Sequence, residues 1–231
     1  MNDKDILKIN FIKKYIMTIV DILPIIIDYS VCIILNENGS KKIIDLNGNH
    51  FYDIANEIHK MYPEYDSFEE VKGKTLINNN NATIIYNLTE MDKMDELFVI
   101  PHELRHLYQF QEVKFDDDGK KILEDKRIID LWRRELNGKY RDSKQLNDNV
   151  ELFNSQMLEL DANAFAQVIM KKLLGINIKI HSYDRNEIFN DVVNLIDQSY
   201  PDSYIYESIA YNSFNPLNYF SKIGYIKNTK K

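Results

Sequence analysis

The chain has 231 residues, 44% hydrophobic and 28% charged, a balance that suits one globular domain with its own core and excludes a disordered chain. A formal net charge of −7 excludes the basic face of a general nucleic-acid binder. The single cysteine, Cys32, excludes an intrachain disulfide and fits a reducing compartment. No signal-peptide pattern opens the chain, and its most apolar run, 15–27, holds Asp21 and Pro24 and is too short to span a bilayer. The expectation is therefore a cytoplasmic protein without nucleic-acid or membrane partners.

Apolar residues at Ile6, Ile9, Ile12, Ile16, Ile19 and Val20 step by three and four and predict a helix over 3–20. The β-branched run 29–35, the turn "NENGS" and "KKIIDL" predict a hairpin, closed by Asn47-Gly48. Residues 50–62 return to helical spacing and stop at Pro63. An Asn run within 76–88 reads as a loop leading to a strand at Ala82–Leu88. Thr89 caps the next helix, with Asp92 three residues on. Pro101 lies either in the first turn of that helix or at a kink within a longer one. Residues 114–122 read as a polar turn between short extended pieces. A helix over 126–136 ends at Asn137-Gly138. Asp148 or Asn149 caps a long helix reaching about Leu174, with Gly175 at its end. Residues 185–198 form one more helix, and the tyrosine-rich remainder resolves into no element. No linker divides the chain. The reading is one domain over 1–231, with an N-terminal α/β part to residue 75, a catalytic core over 76–200 and a C-terminal tail over 201–231.

The chemistry sits in "PHELRH", 101–106. On a helix His102 and His106 lie about 40° apart on one face. Two imidazoles one turn apart can reach one ion, and zinc suits that pairing. Catalysis needs a third protein ligand and an open position for water, whose pKa then falls to about 7. Glu103 lies too far round to be a ligand and is placed to take the water's proton and pass it to a leaving amine. Downstream, "ELDANAFA", 159–166, puts Glu159 and Asn163 on one helical face beside Ala162 and Ala166. These small residues allow close approach to the histidine helix, so Glu159 can complete a His-His-Glu set. Asn163 can accept a hydrogen bond from the free nitrogen of a ligating imidazole. Asp161, on another face, is the alternative ligand. His50, His59 and His181 have no partner at ligand spacing.

"HELRH" followed by "ELDANAFA" resembles the ImmA/IrrE-type zinc metallopeptidases and, more broadly, the gluzincins. Glu159, Ala162, Asn163, Phe165 and Ala166 match the family's second motif, whereas Asp161 stands where a second glutamate is usual. The resemblance covers 98–166, with a longer gap between the motifs than in compact members. It implies His102, His106 and Glu159 as zinc ligands, Glu103 as general base and Asn163 as the partner of a ligating histidine. The implied fold is α+β and zincin-like: mostly helical, with a small N-terminal mixed or antiparallel sheet. The implied activity is hydrolysis of peptide bonds in a protein or peptide substrate through a zinc-bound water, with a regulatory protein as the substrate. A strand near the metal, expected at 82–88, would pair with an extended substrate. The donor that stabilises the oxyanion stays open among Arg105, Tyr108, Tyr140 and the tyrosines of 199–219. The alternative is a catalytically inactive zincin-like protein acting as a protein-binding module. Arg105 and Pro101, unusual beside such a motif, favour that alternative; the retained Glu103 opposes it.

Overall fold

The computed structural model describes residues 3–37, 40–45, 72–78, 81–87, 93–141, 144–146, 149–180, 183 and 186–222. Helix α1 (Asp3–Ile22) buries Phe11, Ile12, Tyr15, Ile16 and Ile19, which includes the predicted positions 12, 16 and 19, whereas Ile6 at its start is exposed. Strands β1 (Tyr29–Glu37) and β2 (Ser40–Asp45) form the expected antiparallel hairpin. The expected turn at Asn47-Gly48, the helix over 50–62 and the cap at Thr89 fall outside the described residues.

The Asn run is not simply a loop. Strand β3 (Gly73–Asn78) and strand β4 (Asn81–Asn87) extend into it from both sides and pair antiparallel as far as Asn78 with Asn81. Strand β4 also pairs with β1 in parallel, giving a mixed sheet of order β2-β1-β4-β3. The substrate-binding edge expected at 82–88 is therefore an interior strand; among the described strands the edges are β2 and β3. One face of the sheet, carrying Val31, Ile33, Ala82, Ile84 and Tyr86, joins the common core.

Helix α2 (Lys93–Asp117) continues unbroken through Pro101. Proline leaves the carbonyl of residue 97 without its helical donor. Here Tyr15 Oη of α1 donates to Leu97 O at 3.2 Å, which explains how an interior proline is accommodated. The helix also takes in the first residues of the expected polar turn, 114–122, and ends at Asp117, shortly before Gly119 adopts φ +67.

Helix α3 (Lys126–Arg134) buries Ile129 and Trp132 and passes into a π-helical turn, Glu135–Lys139, in which Gly138 takes φ +98. The long helix predicted from residue 149 is broken into α4 (Val150–Asn154) and α5 (Met157–Leu174). The break has a remote cause. Both carboxylate oxygens of Glu135 accept from the first amides of α5, Met157 N and Leu158 N, at 2.8 Å each. Gly175, left-handed, closes α5 as expected. Helix α6 (Glu187–Ser199) is capped by Asn186. The tyrosine-rich stretch forms α7 (Asp202–Tyr211) and α8 (Pro216–Lys222). Phe214 and Phe220 pack on Phe11 of α1, so residues 202–222 belong to the core rather than to a tail.

Helices α2 and α5 pack side by side, with β3 and β4 against another part of α2. That arrangement brings the two halves of the sequence motif together.

Candidate metal centre

His102 and His106 come from the middle of α2, and Glu159 from the first turn of α5. The imidazole Nε2 atoms lie 3.1 Å apart. Glu159 presents one oxygen to each ring, Oε2 at 3.3 Å from His102 Nε2 and Oε1 at 3.4 Å from His106 Nε2. These three residues form a group able to hold a metal ion. The spacings are close to the ~3.3 Å between neighbouring ligands of a tetrahedral ion with bonds of ~2.0–2.1 Å. A proton can bridge only one of the three pairs at a time, whereas a cation satisfies all of them. The donors, two imidazoles and a carboxylate, are of the type zinc prefers, and the residues present fit such an ion.

The triad is buried on its carboxylate side and partly open on the other: the Glu159 side chain is 3% exposed, those of His102 and His106 13% and 15%. Burial opposes charge on His106, but Glu159 outweighs it, helped by Glu103 and by the hydrogen bond to Gln109; the net result raises the imidazole to about 9. Burial likewise opposes charge on Glu159, and the two histidines outweigh it, holding the carboxyl well below its usual range.

Glu103 stands beside the triad and is buried. The Thr75 hydroxyl of β3 lies 2.8 Å from its Oε2 and 2.9 Å from its backbone carbonyl. The strand comes this close because residue 73 is glycine. A Cβ there would lie 2.5 Å from Val99 Cγ2, 2.9 Å from Glu103 Cγ and 3.1 Å from Glu103 Oε1.

The expected role of Asn163 is not what the contacts show. Its Nδ2 donates to Tyr183 Oη at 3.1 Å, and it makes no hydrogen bond to either imidazole. Gln109, one turn beyond His106 and overlooked in the sequence, takes that place. Its Nε2 donates to Leu158 O at 3.1 Å and to Asp161 Oδ2 at 2.6 Å. Both partners are acceptors, so Oε1 faces His106 Nδ1 at 2.9 Å as an acceptor. With an ion in the triad, His106 would keep its proton on Nδ1 and turn the Nε2 lone pair to that ion. His102 Nδ1 is buried without a hydrogen-bond partner among the described residues. A glutamine three residues after the second histidine was the available signal, but its meaning depends on Asp161, which α5 brings from a distance.

Asp161, the alternative ligand, faces away from the imidazoles. It is gripped by the fork of Arg105, Nε to Oδ2 at 2.8 Å and Nη2 to Oδ1 at 3.0 Å. Arg105 also reaches Tyr200 Oη at 3.0 Å and Glu124 at 3.3 Å. The rings of Tyr108, Trp132 and Phe165 lie about its guanidinium carbon. The unusual arginine within the motif is thus a buried structural cation on a different face from the histidines. His50, His59 and His181 lie outside the described residues. No helix of the described chain is long and apolar enough to cross a membrane.

No family model, curated protein or solved structure matches the chain.

Proposed function

We propose that the protein is a zinc-dependent peptidase of zincin-like fold that hydrolyses peptide bonds of a protein substrate. One observation carries this reading: His102, His106 and Glu159 converge at 3.1–3.4 Å while Glu103, outside that triangle, is held next to it. A divalent ion in the triad would bring the pKa of a water toward 7 and polarise a carbonyl oxygen. Glu103 is the base that accepts the water's proton and delivers it to the departing nitrogen. Thr75 orients its Oε2, and the bare Gly73 leaves room around Oε1. Strand β3, an edge among the described strands and next to Glu103, is where an extended peptide would lie, in place of the interior β4. Such pairing makes little demand on side chains and suits a protein substrate, including the regulatory protein that the resemblance implies.

The two residues that speak for a binding-only scaffold, Pro101 and Arg105, have structural partners in Tyr15 and Asp161. The test is metal analysis of protein purified without chelators, beside a Glu103→Gln variant, with turnover followed on a mixed-sequence fluorogenic peptide library. The expected result is about one zinc per chain in both forms and a loss of about 10²–10⁴ in turnover in the variant. Protein free of tightly held metal, or a variant that cleaves as well as the parent, overturns the reading.

A further inference from the structure

We propose that Tyr140 is a catalytic residue of this site, donating its hydroxyl hydrogen bond to the scissile carbonyl oxygen as that oxygen becomes anionic. The proposal rests on the peptidase reading above. Of the donors left open by the sequence, Arg105 is buried and committed to Asp161, Tyr200 and Glu124. Tyr108 is buried against Trp132, and Tyr204 donates to Asp21 O. Tyr140 Oη, by contrast, lies 2.8 Å from Glu159 Oε1. Its residue is 36% exposed, so the side chain reaches from the surface to the triad, with its hydroxyl on a ligand carboxylate.

This placement is constructed rather than incidental. The segment carrying Tyr140 is fastened to the start of α5 on both sides. Glu135 accepts from Met157 N and Leu158 N. Gln156 pairs with the Arg141 backbone in both directions, at 2.7 and 2.9 Å. Between these clamps the π-helical turn, with Gly138 left-handed, reverses the chain and presents the phenol. The phenol ring rests edge-on against Phe153. The stretch between the two motifs, longer than a compact site needs, thereby delivers a polar group to the triad.

In the reaction a water oxygen bonds to the carbonyl carbon while its proton passes to Glu103. The C=O π pair moves onto the carbonyl oxygen, which takes the Tyr140 hydrogen bond through rotation about Cζ–Oη. When that pair returns, the C–N bond breaks and nitrogen leaves with the proton from Glu103.

The test compares Tyr140→Phe with the parent, both zinc-loaded, on a peptide selected from the fluorogenic library. We expect kcat to fall by about 10²–10³, as for loss of one oxyanion donor, with KM and zinc content kept. A second readout needs no turnover. Cobalt-substituted protein is titrated with acetohydroxamate, whose oxygens can accept the same hydrogen bond, and followed by visible absorption; affinity should drop by about tenfold in the variant. Gln156→Leu, which loosens the segment and keeps the hydroxyl, should lower kcat by less. Unchanged kcat and hydroxamate affinity in Tyr140→Phe overturn the assignment and leave the peptidase reading standing. A fall in zinc affinity alone, with hydroxamate binding per metal unaltered, makes Tyr140 a support of Glu159 and also overturns it. Absence of cleavage by the zinc-loaded parent removes both readings.

Discussion

Two carboxylates only two residues apart on α5 meet α2 in opposite ways. Asp161 finds a guanidinium and a primary amide, so its cluster is neutralised and hydrogen-bonded from within. Glu159 finds two imidazoles whose nitrogens face each other and the carboxylate, so its cluster is one that a cation from outside can complete. The same pair of helices therefore carries a closed electrostatic lock and an open ligand set. Gln109 links them, holding Asp161 with its amide group and His106 with its carbonyl. The difference teaches that the lock fixes the helix spacing and the imidazole orientation on which the open set depends.

The strongest way to break the comparison is Arg105→Met. It leaves Asp161 buried without its counter-charge, and we expect a loss of about 3–5 kcal/mol in denaturant unfolding. Adding Asp161→Leu should restore much of that loss. A single variant as stable as the parent would show that the lock carries no structural load.

The open set should respond to protons instead. In metal-free protein His106 is raised from 6.5 to about 9. Its contribution to stability is therefore fully present below pH 6.5 and lost as pH rises through about 9, on the order of 2 kcal/mol. Urea midpoints at pH 6 and 9.5, beside a His106→Gln control that lacks this slope, measure it. Zinc replaces the same proton, so apparent zinc affinity should increase with pH over that interval.

Cutting the link between the clusters should have an intermediate effect. Gln109→Met is expected to reduce zinc affinity by about 10–100-fold, read by chelator competition, with the Arg105–Asp161 pair intact. Equal affinity would mean that His106 keeps its orientation without the amide. The smallest effect belongs to Tyr15→Phe, remote from both clusters. It strips the Leu97 carbonyl of its hydroxyl donor at Pro101 and should cost about 1–2 kcal/mol, with zinc affinity unchanged.

Much of this arrangement is legible in the sequence where a signal is local. Residue spacing on α1 gives its buried face, the turn "NENGS" gives the first hairpin, and Gly138 and Gly175 mark chain reversals. The four-residue step in "HELRH" and the small residues after Glu159 point to the ligand set. What escapes is whatever a distant partner decides. "GKTLIN" reads as a strand only once β4 lies beside it. Helix α2 continues through Pro101 because α1 supplies a hydroxyl, and the helix predicted from residue 149 breaks because Glu135 captures the amides of α5. The partners of Asn163 and Gln109 depend on which side chains from other elements arrive first, a matter of packing that no short pattern encodes.

Gly73 carries one more consequence. Because a methyl group on residue 73 would run into the side chains of Val99 and Glu103, β3 lies at a fixed close distance from Glu103, and the two form one reference. An extended chain laid along that strand inherits the strand repeat of about 6.8 Å per two residues. On the proposed peptidase reading, the bond to be cut would be chosen by counting along the strand from Gly73, as on a ruler, and a register changed by one step would move the cut.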